Sequence, residues 1–214
     1  MTGKPVSIGA RAARPDTRTA VFQAAAAEFS ARGFDGVGVD DIAARAKVNK
    51  AMIYYHFADK LALYRAVVGD MLATIGTTVT EIAGDADLRP ADKLNRFIEQ
   101  FVRHADARPW FPPLMLREIA AGAPHLDLET LTLMKAVFVG FGTILAEGAA
   151  AGTFRPVHPV LAYTSIVGPL LMNAARERMA AEPGRSQLPM FVSIPHQDLI
   201  AHIQLTAQRM LEPR

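Results

Sequence analysis

The sequence predicts an all-α protein of about nine helices, with a small N-terminal unit and a larger C-terminal body. Three observations support this prediction. Apolar residues recur at intervals of three and four along most of the chain, as they do on one face of a helix. Glycine and proline interrupt this pattern at the ends of the periodic stretches. No stretch has the sustained apolar–polar alternation, bounded by tight turns, that indicates a β-hairpin.

The first four expected helices form the front of the chain. Residues 1–15 are expected to be a flexible basic arm. Asp16 or Thr17 can cap the first helix, and Gly33 ends it as a glycine after a helix commonly does. Asn49 can cap the third helix and Asp59 the fourth. The expected helices are residues 17–32, about 40–46, about 50–57, and a long one that begins near residue 60.

Five further helices are expected in the body. Pro90 opens the fifth after the loop GDADLRP, and RPWFPP breaks the chain again. Gly168 and Pro169 fall inside the eighth helix, where the proline ring removes a backbone hydrogen bond and should bend it. The expected ranges are from residue 90 for the fifth helix, then about 113–121, 126–151, 159–181 and 196–211.

Charge is distributed unevenly along this chain of globular composition. Of 214 residues, 50% are hydrophobic and 21% are charged, which is typical of a packed protein. Residues 1–68 hold ten Lys and Arg against six Asp and Glu, whereas residues 69–214 hold thirteen against fifteen. A basic front on a mildly acidic body indicates that the front meets a polyanion.

Other features exclude several classes of protein. Cysteine is absent, which removes disulfides and thiol chemistry and is consistent with a reducing cytoplasm. The N-terminus, MTGKPVSIGARAARPD, lacks the apolar segment of a secretory signal. No apolar run reaches the roughly 18 residues that span a bilayer. We therefore expect a cytoplasmic protein that does not associate with membranes.

The segment from the second to the third expected helix has the organisation of a DNA-binding motif. Two short helices are joined by three or four residues, and the second, KAMIYYHF, is rich in polar and aromatic groups. Ile53 and Phe57 are four residues apart and face the core, which leaves the other side chains outside. This is a helix-turn-helix, whose second helix enters the major groove with its N-terminal end.

Residues 17–68 closely resemble the N-terminal domain of TetR-family transcriptional regulators. The matching features are the GF turn after the first helix, VDDIAARA, IYYHF and the following DK-L-L. The resemblance implies a DNA-binding domain over residues 16–62 and a ligand-binding and dimerisation domain over residues 63–214. It also implies a homodimer that meets a palindromic operator in double-stranded DNA.

The resemblance assigns DNA contacts to the third helix and its neighbours. Tyr54 and Lys60 are expected to hold phosphates, and the arm before residue 16 could enter the minor groove. Three positions depart from the family pattern: Gly38 for Ser or Thr, and Lys47 and Ala51 for glycine. The residues expected at the DNA are Lys47, Asn49, Lys50, Ala51, Met52, Tyr54, Tyr55, His56 and Lys60.

A ligand cavity is expected between the fifth and eighth helices, where Met and aromatic residues should converge, although such a pattern is also typical of a core. Gly140 and Gly142 favour a cavity, because glycines weaken a long helix unless space or motion is needed there. Arg117, Glu118 and Asn173 could orient the polar end of a mostly apolar, aromatic or acyl-bearing effector, while surface or interhelix pairs are an equal alternative for Arg117 and Glu118. The residues expected to line the site are Phe101, Trp110, Met115, Met134, Phe138, Phe141, Tyr163 and Asn173.

The resemblance implies that the dimer forms through residues of about 159–181 and 196–211. Small and apolar side chains there suit close packing across a two-fold axis, and packing inside one monomer is the alternative. Those side chains are Gly168, Ala174, Ala175, Ile203 and Ala207. The histidines lack the spacing of a metal pair and no carboxylate cluster accompanies them, so no cofactor, metal or enzymatic activity is expected. A repressor released by its effector is the favoured function. A transcriptional activator and a sequence-independent architectural DNA-binding protein are the alternatives.

Overall fold

The computed structural model describes residues 16–185 and 187–213, and within these ranges the chain forms nine α-helices and one 3₁₀ turn. The predicted all-α class is confirmed, and the expected basic arm lies outside the described residues. The helices are α1 (Thr17–Arg32), α2 (Val39–Ala46), α3 (Lys50–Phe57), α4 (Lys60–Gly84), α5 (Pro90–Ala107), α6 (Phe111–Ala121), α7 (Leu128–Ala150), α8 (Pro159–Ala180) and α9 (His196–Leu211), with the 3₁₀ turn at Pro189–Phe191.

The N-terminal unit consists of α1 to α3 and the first turns of α4. The Asp16 carboxylate accepts a hydrogen bond from the Thr19 N–H at 2.7 Å and caps α1, as the sequence indicates. Phe29, Ile42 and Ile53, from the first three helices, are completely buried. They belong to one hydrophobic core that continues through α4 into the body without a break.

The body is built around α4 and α7, which pack against each other along much of their lengths. Glycines make this approach possible: a Cβ at Gly140 would lie 2.8 Å from Val79 Cγ1, and one at Gly76 would lie 3.3 Å from Ala136 Cβ. Gly140 therefore serves close helix packing and does not open the cavity, so that part of the sequence interpretation is wrong. A Cβ at Gly142 would lie at an ordinary 3.8 Å from Pro159 Cβ.

Two helices, α4 and α7, are long and apolar enough to cross a membrane by length and composition alone. Half of the most apolar stretch of α4 and a third of that of α7 are buried inside the protein. Core helices of globular proteins pass the same test, so two such helices are weak evidence for a membrane span.

The last two helices close the body. The helix α8 continues through Pro169, so the expected interruption at Gly168 and Pro169 is wrong, and the expected bend stays a prediction. The helix α9 packs on α5, with the Gln204 amide donating to Asn95 O at 3.2 Å, and its end is held by Arg155 Nε, which donates to Met210 O at 2.6 Å. Ile203 and Ala207 are buried inside the monomer, so the expectation that they pack across a dimer axis is wrong.

Candidate DNA-binding surface and ligand cavity

Two features fix the orientation of α3 and determine which face is outward: its N-terminal cap and its two buried apolar side chains. The Asn49 Oδ1 accepts from the Ala51 N–H at 2.8 Å and caps its first turn. Ile53 and Phe57 are buried against α1 and α4. As a result, Tyr54 and Tyr55 are 46% and 80% exposed, far more than tyrosines that complete a core.

The turn that leads into α3 contains a strained residue. Lys47 ends α2 with φ 56° and ψ 42°, in the left-handed region where glycine is unstrained and lysine is not. Its side chain is exposed beside α3. At the other end of α2, Gly38 offers no side-chain cap, but the Asp41 carboxylate accepts the Gly38 N–H at 2.9 Å. This bond, assisted by the Arg32 guanidinium, lowers the pKa of Asp41.

The structure leaves six of the nine expected DNA contacts exposed and three half-buried. The exposed ones are Lys47, Asn49, Lys50, Ala51, Tyr54 and Tyr55, and the half-buried ones are Met52, His56 and Lys60. Lys50 Nζ is paired with Asp40 at 2.9 Å on the surface. Among the described residues, His56 Nε2 is covered and has no hydrogen-bond partner, so this nitrogen does not reach the outer face.

Lys60 has a structural position that the sequence did not reveal. Its ammonium donates to Phe34 O and Val37 O at 3.0 Å each and lies 4.0 Å from the centre of the Phe34 ring. Two of its three N–H groups are therefore used to hold the α1–α2 turn to the start of α4. One N–H remains for a phosphate, and the expected DNA contact stays a prediction.

A cavity of about 140 Å³ lies between α4, α5, α6, α7 and α8. Its lining is almost entirely apolar. Two lining residues, Ile119 and Thr164, are exposed, so the cavity reaches the protein surface. The lining residues are Leu72, Ile75, Phe101, Phe111, Met115, Ile119, Met134, Val137, Phe138, Tyr163, Thr164, Val167 and Leu171.

Five of the eight expected ligand residues line this cavity, namely Phe101, Met115, Met134, Phe138 and Tyr163. The other three lie elsewhere. Trp110 packs edge-on against Phe22 of α1, with ring centres 6.1 Å apart. Phe141 is completely buried in the core behind Tyr163, and Asn173 is bonded to Arg176 and Glu177 on the surface of α8. These three positions do not support a direct role in binding a ligand there.

A polar network joins α6 to the N-terminal unit. The Tyr64 hydroxyl donates to Glu118 Oε1 at 2.7 Å, and the same oxygen lies 2.8 Å from His125 Nδ1. Burial, and then this carboxylate, raises the pKa of Tyr64. Arg117 donates to backbone carbonyls at the end of α1. Neither Arg117 nor Glu118 lines the cavity, so of the two alternatives for these residues the structure supports interhelix contacts and not the orientation of an effector.

Comparison with known proteins agrees with this architecture. Residues 21–67 match the family described as "Bacterial regulatory proteins, tetR family", and residues 90–182 match "Tetracyclin repressor-like, C-terminal domain". The HTH-type transcriptional repressor NicS of Pseudomonas putida is 32% identical over 153 residues, which is 69% of this chain and 70% of NicS. The HTH-type transcriptional repressor DhaR of Mycobacterium sp. is 23% identical over 88% of this chain and 94% of DhaR.

A solved structure shows the same fold. The ketosteroid transcriptional regulator KstR2 of Mycobacterium tuberculosis superposes with a TM-score of 0.72 at 18% identity, covering 94% of this chain and 98% of that one. Together, the helix-turn-helix with its exposed third helix, the helical body and the two matched segments identify the protein. The chain belongs to the TetR family of bacterial transcriptional regulators.

Proposed function

We propose that this protein is a homodimeric repressor that binds a palindromic operator and is released from it by a small, neutral, mostly apolar effector. The observation that carries the proposal is the outer face of α3, where two exposed tyrosines and Lys50 project from a helix seated by Ile53 and Phe57. Exposed aromatic and basic groups on the second helix of a helix-turn-helix are suited to phosphate and base contacts.

The roles of these residues follow from their positions. Tyr54 and Lys47 contact phosphates, which fixes the register of the protein on DNA without reading sequence. Lys50, Ala51 and Met52 lie in the first turn of α3, which enters the groove first, and they contact base edges. Lys50 exchanges its surface pairing with Asp40 for a DNA contact, at little cost because exposed ion pairs contribute little stability.

The homodimer brings two copies of α3 to successive major grooves, about 34–36 Å apart. Support for the interface comes from an exposed apolar stripe on α8. Leu161, Met172 and Met179 recur at helical spacing on its outer side, and Leu205 is exposed on the neighbouring α9. An exposed stripe of this kind is typical of an interaction surface, and a two-fold axis would bury it against itself.

The cavity supports a neutral effector of modest size. A volume of about 140 Å³ is similar to that of engineered apolar cavities, about 150 Å³, that bind benzene. In the described part of the chain no Asp, Glu, Lys or Arg lines the cavity, so a charged ligand would lose its hydration without gaining a partner from these residues. Burial raises the pKa of the Tyr163 hydroxyl, which therefore stays protonated at neutral pH and can donate one hydrogen bond to a ligand.

Operator selection tests the DNA-binding part of this proposal. The purified protein is incubated with a random DNA library or with sheared genomic DNA at physiological salt, and the retained fragments are sequenced. Recovery of a palindrome with two half-sites supports a specific dimeric regulator. Enrichment without a motif would instead favour a sequence-independent architectural protein. A reporter gene placed behind the recovered site then distinguishes repression from activation.

Thermal stability tests the effector class with three probes of similar size. Toluene and benzyl alcohol are neutral, and benzoate carries a charge on the same ring. A ligand that binds only the folded state raises the melting temperature. We expect both neutral probes to raise the melting temperature. Benzyl alcohol should raise it more than toluene, because its hydroxyl can accept a hydrogen bond from Tyr163, and this difference should disappear in Tyr163→Phe. Equal stabilisation by benzoate would contradict the proposed class.

A further inference from the structure

The helix α6 separates the cavity from the DNA-binding unit and contacts both. Phe111, Met115 and Ile119 are spaced four residues apart, so they form one stripe of α6, and this stripe lines the cavity. Arg117 and Glu118 lie on other sides of the same helix and contact α1 and α4. A displacement of α6 by a ligand would therefore reach both contacts.

Arg117 completes the C-terminus of α1. Its Nη1 donates to Phe29 O at 3.2 Å and to Ser30 O at 2.8 Å, and its Nη2 donates to Ala31 O at 3.2 Å. The last carbonyls of a helix have no partner within the helix, and they carry the negative end of its dipole. A guanidinium is the group best suited to this end, because it is always charged and has several N–H donors.

A second arginine reaches the same end of α1 from another helix that lines the cavity. Arg178 of α8 donates from Nη1 to Ser30 Oγ at 2.6 Å. Ser30 is buried, so this bond satisfies a hydroxyl that water does not reach. Arg178 lies seven residues, or two turns, after the lining residue Leu171. Two cavity-lining helices thus each hold the end of α1 through one arginine.

We propose that Arg117 and Arg178 act as positioning residues that transmit occupancy of the cavity directly to α1. We call them the α1 clasp. This inference rests on the proposed role of the cavity as the effector site. When a ligand separates α6 and α8, the clasp opens and α1 is released together with the helix-turn-helix that packs on it.

The distances make the clasp sensitive to small motions. Helix shifts in switching proteins are commonly about 1–2 Å. Two of the three Arg117 bonds are already 3.2 Å long, and a hydrogen bond of about 3.6 Å or more no longer contributes. A shift of less than 1 Å along these bonds is therefore sufficient to break them.

A four-variant cycle without added ligand tests the clasp. Val167→Phe places a ring inside the cavity from α8 and mimics an occupant. We expect it to weaken operator binding about fivefold or more, which is the lower end of common coupling between two sites. In a protein that also carries Arg117→Met and Arg178→Met, the same substitution should change operator affinity less than twofold. Methionine keeps much of the arginine stem and removes every donor.

Controls separate the role in coupling from a role in stability. Arg103→Met, on the exposed side of α5, should leave the effect of Val167→Phe unchanged. Arg117→Lys should restore part of the coupling, because one ammonium can still reach a carbonyl. If Val167→Phe does not fold, Thr164→Phe at the exposed rim fills the cavity instead. Melting curves establish that each variant is folded under the assay conditions.

The outcomes distinguish the two proposals. An equal loss of affinity on filling the cavity, with and without the arginines, overturns the clasp and leaves the regulator proposal intact. No effect of either filled cavity in folded protein overturns both the clasp and the ligand response. Failure of the wild-type protein to bind a selected operator overturns the proposed function itself.

Discussion

Single residues in the N-terminal unit show what local signals predict and where tertiary contacts take over. Asn49 and Asp59 were predicted as caps from the sequence, and Asp16 as one of two candidates for α1. Each of the three side chains accepts a backbone N–H of its helix. Capping depends only on neighbours two or three residues away, so the sequence contains the information. The positions of Lys60 and His56 depend on the α1–α2 turn and on burial, and the sequence pattern alone did not predict them.

Lys47 illustrates a residue whose local strain and proposed function oppose each other. Lys47→Gly removes the left-handed strain, about 1–2 kcal/mol, but adds flexibility to the unfolded chain, about 0.4–1 kcal/mol. We expect a net rise of about 0.5–1 kcal/mol in the free energy of unfolding, measured by urea denaturation. Operator affinity should fall at the same time, and the slope of its logarithm against salt should decrease by about one if this lysine contacts a phosphate.

The control for this prediction is Lys47→Ala, which removes the charge but keeps the strain. It should weaken DNA binding as Lys47→Gly does, without any gain in stability. If operator affinity and its salt dependence are the same in all three proteins, Lys47 does not contact DNA, and its substitution affects only the backbone strain.

At the scale of elements, most helices were predicted to within two residues, because their stripes and caps are local. The helix α6 begins at Phe111 and not at 113, since Pro112 and Pro113 are tolerated in a first turn, where no intrahelical N–H bond is lost. The helix α7 begins after the cap Asp127, two residues later than expected. The roles of Gly140 and Gly142 depend on which helices pack against α7, and the sequence of α7 alone does not determine this.

Gly140 lies at the contact between α4 and α7 and Gly142 does not, so we expect alanine at these two positions to change the free energy of unfolding in opposite directions. In Gly140→Ala the new methyl group would lie 2.8 Å from Val79 Cγ1 and 3.3 Å from Val79 backbone carbon, so the helices must separate. Overpacking of this kind costs about 1–3 kcal/mol, against about 1 kcal/mol gained from helix propensity. We expect a lower free energy of unfolding, by roughly 1 kcal/mol, in chemical denaturation.

Gly142→Ala is the matched control on the same helix. Its methyl group would meet Pro159 Cβ at 3.8 Å, an ordinary contact, so the gain in helix propensity should dominate. This variant should be as stable as the wild-type protein or up to about 1 kcal/mol more stable. Stabilisation of both variants would mean that α4 and α7 pack less closely than the distances indicate.

The helix α5 carries a histidine that makes stability depend on pH. Burial, and then the Arg108 cation, lowers the pKa of His104, whose Nε2 lies 3.0 Å from Thr78 Oγ1. The unfolded chain binds a proton near pH 6.5, while the folded protein resists it. The full contribution to stability is therefore present above about pH 6.5, and it decreases as the pH falls below that value.

His104→Gln should reduce this decrease, because glutamine can still bond to Thr78 and does not titrate. The measurement is the free energy of unfolding of both proteins between pH 5 and pH 7.5. The window lies above the range in which carboxylates titrate, so the helix caps do not contribute to the difference. Parallel curves for the two proteins would show that His104 is not the titrating group.

At the scale of the whole molecule, the sequence predicted the class, the order of the helices and a cavity between α5 and α8. The apolar stripes identified five lining residues, because inward-facing positions can be read from spacing. Trp110 and Phe141 belong to similar stripes but pack elsewhere, and only the three-dimensional arrangement separates a cavity wall from a core. The same limit applies to Arg117, whose partners lie 86 to 88 residues away.

The proposed dimer leads to a prediction for the complete assembly. Met172 is 61% exposed in the middle of the α8 stripe. Met172→Glu would place two carboxylates near the two-fold axis, where like charges repel and lose hydration. We expect a shift from dimer to monomer in analytical ultracentrifugation at micromolar concentration. Operator affinity should fall by tenfold or more, because each half-site is then bound separately.

Thr77→Glu adds the same charge at an exposed position on α4, away from this stripe, and should leave the mass and the operator affinity unchanged. A Met172→Glu protein that remains dimeric would place the interface elsewhere on the molecule.

The unbroken core has a consequence for how the protein is lost in a cell. Because the same buried cluster extends from α1 to α9, the DNA-binding unit has no separate reserve of stability, and the chain should melt in a single cooperative transition. A destabilising substitution deep in the body then raises the unfolded fraction that proteases can cleave, and so lowers the amount of folded protein available to bind DNA. Loss of gene control through such a substitution would resemble a defect in DNA recognition, although every groove-facing side chain is unchanged.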